Sequence, residues 1–579
     1  MAVTEDNGMI LTNEAIFKDF DYNAKRPGTV RWEEEGAMFT ALETAKGYED
    51  AELEKDQYGN NIKVFEEIVK YDPATLDRSI LVSLEQLTPK DATAALVVDD
   101  YKWSGDRSRL LVMTNAEYVW REKSRGDYWL LNVAEGDLWQ LGGELSAPSE
   151  MMYGEFSPDG LQFAYVWQNN IYVQDLFSRK VTALTNDASS TLINGLFDWA
   201  YEEEFRLKKG YHWSPNSERV AYWQLDTHAA KDFLIINNTG SLYPTVSAIP
   251  YPKVGEENAA ARIGIVSLAT AVTVWVTLPG EPAQMYVPRM NWADNSEQVL
   301  IQQMNRKQDT NTVFYANAQS GELHKVFVER EDTFIELFEE PKWLANSEAF
   351  LWQSERDGWK HVYLVSRDGK TFTDLTPGDF DVTEVLSMDE QDGWLYFIAS
   401  PDNAAQRYLQ RTRLDGSGQM QQVTPKELTG TNAYKLSADS RWAIHTHSSF
   451  LSPPVYSLVS LPDHVTQHVF EDNAELNQKL AQLELGELEF YSVDARDGLR
   501  LDGYMLRPPN FDPSKQYPII NYAYGEPAGQ TVRDVWFGHN TLWHLLMSQQ
   551  GFIVSSIDNR GTNAPRGHDW RRSIYGDGG

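Results

Sequence analysis

The sequence predicts a mostly β chain: an eight-bladed β-propeller followed by the opening of an α/β domain. Three observations lead there. A turn-and-strand pattern recurs eight times before residue 480. Its spacing of about 45 to 80 residues suits four-stranded propeller blades carrying insertions. Beyond Glu471 the texture changes to strand, helix, strand, the order of a parallel sheet.

The repeat is an aromatic residue or Leu, a small or polar group, Asp or Asn beside Gly or Ser, then an alternating apolar run. "RWEEEGAMFTAL" from Arg31 is the first copy, followed by "WSGDRSRLLVM" from Trp103, "FSPDGLQFAYVW" from Phe156 and "WSPNSERVAYW" from Trp213. "WADNSEQVLI" from Trp292, "WLANSEAFLW" from Trp343, "SMDEQDGWLYFI" from Ser387 and "LSADSRWAIH" from Leu436 complete the set. The Asp/Asn-Gly/Ser pair supplies a hairpin turn, and the apolar run supplies a half-buried strand. An array of β-sandwiches is the alternative, but no Pro/Ser-rich linkers separate the copies, which favours one ring. The apolar stretch Ile263 to Leu278 is shorter than a membrane-spanning helix. Its Val and Thr content reads as two buried strands around a turn.

After the ring, "EDNAELNQKLAQLELGE" has a helical pattern, and "ELEFYSVDARDGLRLDGYMLRPPNF" alternates as two paired strands. "YPIINYAYG" and "GFIVSSIDNRG" are short, continuously apolar strands, with "NTLWHLLMSQQ" as a helix between them.

Composition narrows the function. With 579 residues, 42% of them hydrophobic, the chain can bury several cores. Its formal charge of −34 opposes binding to nucleic acid or to an anionic membrane surface. The absence of cysteine excludes disulfides, thiolate metal sites and a Cys nucleophile, and leaves the compartment undetermined. The N-terminus lacks the basic start and apolar core of a signal peptide.

One stretch resists a purely structural reading. "FDWAYEEEF", Phe197 to Phe205, places three carboxylates between aromatic residues that favour burial. Unpaired buried carboxylates are costly. The acidic run of "RWEEEG", by contrast, leads into Gly36 and reads as a turn with solvated charges.

Five motifs then carry a family resemblance: "DWAYEEEF", "PYPKVG" (Pro250 to Gly255), "VFEDNAEL" (Val469 to Leu476), "RPPNFDPSKQYP" (Arg507 to Pro518) and "DNRGT" (Asp558 to Thr562). In this order they resemble dipeptidyl peptidase IV and its relatives, serine exopeptidases of the prolyl oligopeptidase clan. The acidic motif is the most specific of them, because related endopeptidases and acylaminoacyl peptidases lack the pair.

The resemblance implies a propeller over residues 31–480 and an incomplete α/β-hydrolase domain over 481–579, with residues 1–30 packing on the latter. It implies removal of dipeptides from peptides with a free N-terminus, preferably after Pro or Ala. Glu203 and Glu204 would bind the substrate's amine, Arg121 would contact its second carbonyl, and Tyr524 would help form the oxyanion hole. Relatives carry a small residue where this chain has Glu526. A homodimer is implied for the full-length protein, and neither a cofactor nor a metal is. A peptide α-amine, with a pKa near 8, offers three donors to two carboxylates and neutralises their repulsion.

The nucleophile of such a hydrolase sits on a G-x-S-x-G elbow, followed by an acid and a histidine. No G-x-S-x-G occurs in these 579 residues. The Ser, Asp and His are therefore expected beyond Gly579, and the chain alone is expected to be inactive. A non-catalytic peptide-binding propeller is the rival reading. His568 precedes any elbow and reads as a solvated loop residue. "HTH" at His445 to His447 lacks a third metal ligand. "GKT" at Gly369 to Thr371 lacks the upstream glycine of a phosphate loop and reads as a hairpin turn.

Overall fold

Each copy of the repeat opens a small antiparallel sheet in the computed structural model, which describes residues 9–28, 30–33, 36–48, 65–145, 148–338, 340–496 and 498–576. Blades 1 to 8 span 30–82, 100–140, 151–183, 192–276, 285–330, 342–374, 382–422 and 431–471. Apolar faces pack between neighbouring blades. Leu42 and Ile68 of blade 1 meet Leu110 and Val112 of blade 2, and Leu351 and Val362 of blade 6 meet Leu395 and Phe397 of blade 7. Each such buried side chain contributes about 1.5–3 kcal/mol. The ends of the ring meet: Phe39 lies edge-on to Phe470 at 6.0 Å, and Trp32 Nε1 donates to Lys435 O at 2.7 Å.

The turns show why the repeat has its form. In blade 2, the Ser104 hydroxyl donates to Asp106 Oδ1 (2.7 Å) and accepts from Arg109 N (3.0 Å). Ser157 with Asp159, Ser214 with Asn216 and Ser437 with Asp439 make the same lock. All four serines are buried. The serine thus satisfies the backbone of a tight turn from inside, a role beyond the Asp/Asn-Gly/Ser turn chemistry read from the sequence.

Two blades depart from the pattern. In blade 2 the hairpin of Arg109–Val119 and Glu122–Asn132 is longer than a blade requires, and Arg125 and Gly126 pair with Met152 and Met151 of blade 3. In blade 4 the first strand is interrupted. Leu192–Asn194 and Tyr211–Trp213 both pair with Arg219–Asp226, and a helix stands between them. The insertion closes at its base, where Gly210 N donates to Gly195 O at 2.9 Å and a side chain at 210 would strike the residue 195 backbone. Blade 4 also sends out a two-stranded arm, Asp232–Asn237 paired with Thr245–Pro250. The stretch read as two strands around a turn forms them, as Ala260–Ser267 and Thr273–Val276.

The α/β part follows its predicted order. Leu488–Asp494 and Arg500–Leu506 form an antiparallel pair, and Ile553–Ile557 joins them and pairs in parallel with Ile519–Asn521. The helix His539–Gln549 packs Leu542 and Leu545 against Val554 and Leu506. Leu11, Ile16 and Tyr22 complete that core, and Leu11 N donates to Gln549 Oε1 at 2.8 Å. Asn473, of "VFEDNAEL", stitches this segment to blade 8 by accepting from Lys25 N and donating to Pro454 O.

Two readings are corrected. Glu33, in the acidic run taken as solvated, is only 7% exposed along its side chain and pairs with Arg107 at 2.6 Å, because the neighbouring blade brings a cation to it. Glu34 and Glu35 lie outside the described residues. His568 is not a solvated loop residue: it opens the short helix His568–Arg572, and its Nε2 lies 3.1 Å from Glu331 Oε2. Gly369, in "GKT", sits in the turn between His361–Ser366 and Phe372–Asp374 with φ of +69°.

Candidate active site

The acidic motif folds as a two-turn helix, Trp199–Phe205, because its ends are chemically fixed. Asp198 caps the start, its Oδ1 accepting from Tyr201 N at 2.9 Å, and Arg206 adopts the left-handed conformation at the end. Tyr201 and Phe205 point inward and pack with Phe197, Trp223 and Tyr286. The Tyr201 hydroxyl accepts from Val287 N at 3.3 Å, which ties the helix to blade 5. Tyr251, of "PYPKVG", packs on Trp199, with the two rings 4.5 Å apart. With the aromatics buried, residues 202–204 form the free face.

The three glutamates have different surroundings. Glu202 is half-buried; burial raises its pKa against the opposing charge of Lys208. Glu203 Oε1 receives Arg121 Nη2 at 2.9 Å. Arg121 stands at the tip of the long blade 2 hairpin and its side chain is 82% exposed. A pair so exposed contributes about 0–1 kcal/mol, so the guanidinium is positioned rather than locked. Among the described residues, no hydrogen bond or cation reaches Glu204. Its crowded setting, then the Glu203 and Glu526 charges, raise its pKa.

Tyr524 follows the strand Ile519–Asn521 and is 64% exposed. The "DNRGT" motif holds its loop: Asp558 Oδ1 accepts from Thr531 N at 2.8 Å, and Asn559 Nδ2 donates to Gly525 O at 3.2 Å. A Cβ at Gly529 would overlap the Tyr524 ring, so glycine allows the loop to fold against it. A hydrogen bond to Glu526, then its charge, raise the Tyr524 hydroxyl above its ordinary pKa, while Arg121 lies close enough to oppose this.

The structure therefore brings together the four predicted residues, Glu203, Glu204, Arg121 and Tyr524, and adds Glu526 and Asp198. Glu526 supplies negative charge to both Glu204 and Tyr524. Asp198 was not singled out in the sequence; the structure shows it as the cap of this helix. The histidines of "HTH" have protein partners: His445 Nε2 meets Asn432 Oδ1 and His447 Nε2 meets Thr429 O. Among the described residues, Asp357, His361 and Asp374 bring ligand-type atoms together, and His361 Nδ1 lies 2.7 Å from Asp357 Oδ2.

Residues 104–454, more than half of the chain, match the family model for the dipeptidyl peptidase IV (DPP IV) N-terminal region. Dipeptidyl peptidase 4 of Trichophyton rubrum is 25% identical over 492 residues, covering 82% of this chain and 62% of the relative. Dipeptidyl aminopeptidase B of Saccharomyces cerevisiae is 26% identical over 522 residues, covering 83% of this chain and 62% of the relative. The chain thus spans less than two thirds of the length of these curated relatives. The crystal structure of Porphyromonas gingivalis dipeptidyl peptidase 4 matches with a TM-score of 0.87 at 24% identity, covering 98% of this chain and 76% of that one. At that identity the likeness is one of fold.

Proposed function

The chain belongs to the dipeptidyl peptidase IV family, and on that premise we propose that it is the amine-recognising portion of a serine-type dipeptidyl aminopeptidase. Its ligands are peptides with a free N-terminus, and the reaction it serves releases Xaa-Pro or Xaa-Ala dipeptides. One observation carries the proposal: Glu203 and Glu204 share the free face of a helix anchored by buried Tyr201 and Phe205, with Arg121 beside them. Two adjacent carboxylates with one exposed guanidinium, paired to Glu203 alone, retain net negative charge, and an α-ammonium supplies the missing cation and donors.

In this reading the amine docks on Glu203 and Glu204. Arg121 turns from Glu203 toward a ligand carbonyl, and Tyr524 faces the scissile carbonyl as an oxyanion donor. For that last role the Tyr524 hydroxyl must release Glu526. Without a G-x-S-x-G elbow in its 579 residues, the chain by itself binds peptides and does not cleave them. The alternative is a non-catalytic peptide-binding propeller. Coding sequence downstream of residue 579 decides between the two: an elbow Ser followed by Asp and His makes the enzyme.

The arm of blade 4 supports a homodimer. Leu234, Ile235, Ile236, Leu242, Tyr243 and Val246 are all exposed on it. A two-stranded ribbon with this much open apolar surface is marginal alone, and a second copy is the occupant we assign to it.

Calorimetry with Gly-Pro and N-acetyl-Gly-Pro tests the amine reading. Gly-Pro should bind, acetylation should abolish binding, and Glu203→Gln or Glu204→Gln should weaken it at least about tenfold. Equal binding of the acetylated peptide would overturn the proposal. A fluorophosphonate probe should label no serine of this chain.

A further inference from the structure

Behind the acidic helix lies a cavity of about 800 Å³, within the range of small-molecule sites. Its walls include Trp199, Tyr251, Phe233 and Tyr286. The Trp199 and Tyr251 rings are 4.5 Å apart, and Phe233 is 5.5 Å from Tyr251. Asn258 Nδ2 donates to the Tyr286 hydroxyl at 2.7 Å and fixes that ring's edge.

Two carboxylates share this aromatic lining, and among the described residues neither has a cation partner. Asp198 is 5% exposed. Its Oδ1 caps the helix, but its Oδ2 is buried and has no hydrogen-bond partner among the described residues. Glu204 stands at the other end of the same wall. The one cationic side chain among the lining residues, Lys253, lies over Phe233 at 5.7 Å from the ring centre.

An anion would be repelled here, and a neutral apolar ligand would leave Asp198 Oδ2 unmet at a cost typical of a buried polar atom. A cation with N–H donors meets both demands, because aromatic faces attract it and the carboxylate accepts from it.

We propose that this cavity is a binding site for an alkylammonium or guanidinium group, with Asp198 Oδ2 as its acceptor and the Trp199, Tyr251 and Phe233 rings as its walls. Such a group comes either from a free organic cation or from the side chain of a Lys or Arg at a peptide's first position. The second source rests on the amine reading above, because Glu204 belongs to both sites. Six residues of helix separate Asp198 from Glu204, about 9 Å along the axis. A lysine or arginine stem with one hydrogen bond covers that span, so one ligand residue can place its α-amine at Glu204 and its side-chain cation at Asp198.

The test uses the 579-residue chain and two sets of probes. Free n-butylammonium and n-butylguanidinium, with 1-butanol as the neutral control, are titrated by NMR. Lys-Pro, its neutral isostere norleucine-Pro, and Gly-Pro are titrated by calorimetry. The cations should bind where butanol does not, and Lys-Pro should bind about tenfold tighter than norleucine-Pro. Asp198→Asn keeps a good helix cap and should remove both preferences. Tyr251→Leu leaves the cap untouched and should weaken both.

If the free cations bind in an Asp198-dependent way while Lys-Pro equals norleucine-Pro, the site stands and its source is the free cation. If both sets depend on Asp198, the peptide side chain is a source. If neither set distinguishes wild type from Asp198→Asn and Tyr251→Leu, the proposal is overturned. Failure of the amine reading looks different: Gly-Pro binding would be absent or indifferent to Glu203→Gln, whatever n-butylammonium does.

Discussion

Glu204 lies in the helix that interrupts the first strand of blade 4 and Glu355 in the turn between two strands of blade 6, and their carboxyls are pushed in opposite directions. At Glu204 a crowded setting and then two neighbouring carboxylates raise the pKa. At Glu355 burial also opposes ionisation, but the Arg571 and Arg572 guanidiniums outweigh it and hold the carboxyl below its ordinary value. Asp381 shares that fate: Arg571 Nη1 reaches its Oδ2 at 2.5 Å, and Gly567 N and Lys360 N donate to the same carboxylate. All four side chains of this cluster are at most 4% exposed. One acidic group is thus closed by cations from the α/β part and serves cohesion. The other is left short of cations at an opening, which is the condition for taking one from a ligand.

The largest effect expected from this contrast is on stability. Arg571→Ala would leave Glu355 and Asp381 buried with half their compensation, and breaking a buried pair in this way costs about 3–5 kcal/mol. Urea denaturation should show that loss, and limited proteolysis should release the α/β part first. Glu203→Gln should change stability by no more than about 1 kcal/mol, as an exposed pair does. Equal losses in the two variants would erase the distinction between a structural and a receptive acid cluster.

His544 separates burial from charge compensation. It is 2% exposed on the helix His539–Gln549, and burial alone lowers its pKa to about 4. Its Nδ1 lies 3.4 Å from the Tyr504 hydroxyl. The unfolded chain, with a His pKa near 6.5, takes up this proton before the folded chain does. Stability is therefore unaffected above about pH 6.5 and falls as pH drops toward 4, by about 1.4 kcal/mol per pH unit at most. Glu355 and Asp381 act at lower pH: their pKa values are depressed, so their contribution is present above their unfolded values and is lost as pH falls through the folded ones. Denaturation midpoints from pH 7 to 4 should fall for the wild type and fall less steeply for His544→Leu, the remaining slope coming from His212, His445 and His464, whose pKa values burial also lowers. An identical pH dependence in the two would remove His544 as a cause.

How much of this was legible depended on the reach of each signal. The turn of each blade is written within six residues, as Ser104 to Arg109 shows, and so was read from the repeat. Glu203, Glu204, Arg121 and Tyr524 were carried by motifs, which report chemistry but not partners. The pairing of Glu203 with Arg121 crosses 82 positions and that of Arg571 with Asp381 crosses 190, so no local pattern encodes them. Glu33 and His568 were misread for the same reason: Arg107 and Glu331 come from other parts of the ring. Asp198 carried no signal of its own in the sequence, because its burial and its unpartnered oxygen arise only in the folded chain.

The smallest expected effect concerns the arm of blade 4, which lies next to the receptive cluster. Its tip residues Leu234–Asn237 and Thr245–Ala248 are exposed on both strands. Its root is already closed, since Tyr251 N donates to Lys231 O at 2.9 Å and Asp232 pairs with Pro250. Replacing residues 234–248 by a two-residue Asn-Gly turn should therefore cost the monomer no more than about 0.5 kcal/mol, the range of surface changes. Phe233 and the cavity wall stay in place. If the arm seats a second copy, light scattering of the shortened chain should show the monomer mass where the intact chain shows twice that value. Gly-Pro affinity should be the same for both, because Glu203 and Glu204 take their positions from Tyr201, Phe205 and Asp198, which the arm tip does not touch. A fall in peptide affinity on shortening the arm would mean that the acidic helix is held by the arm tip as well as by the blade 5 side of the ring.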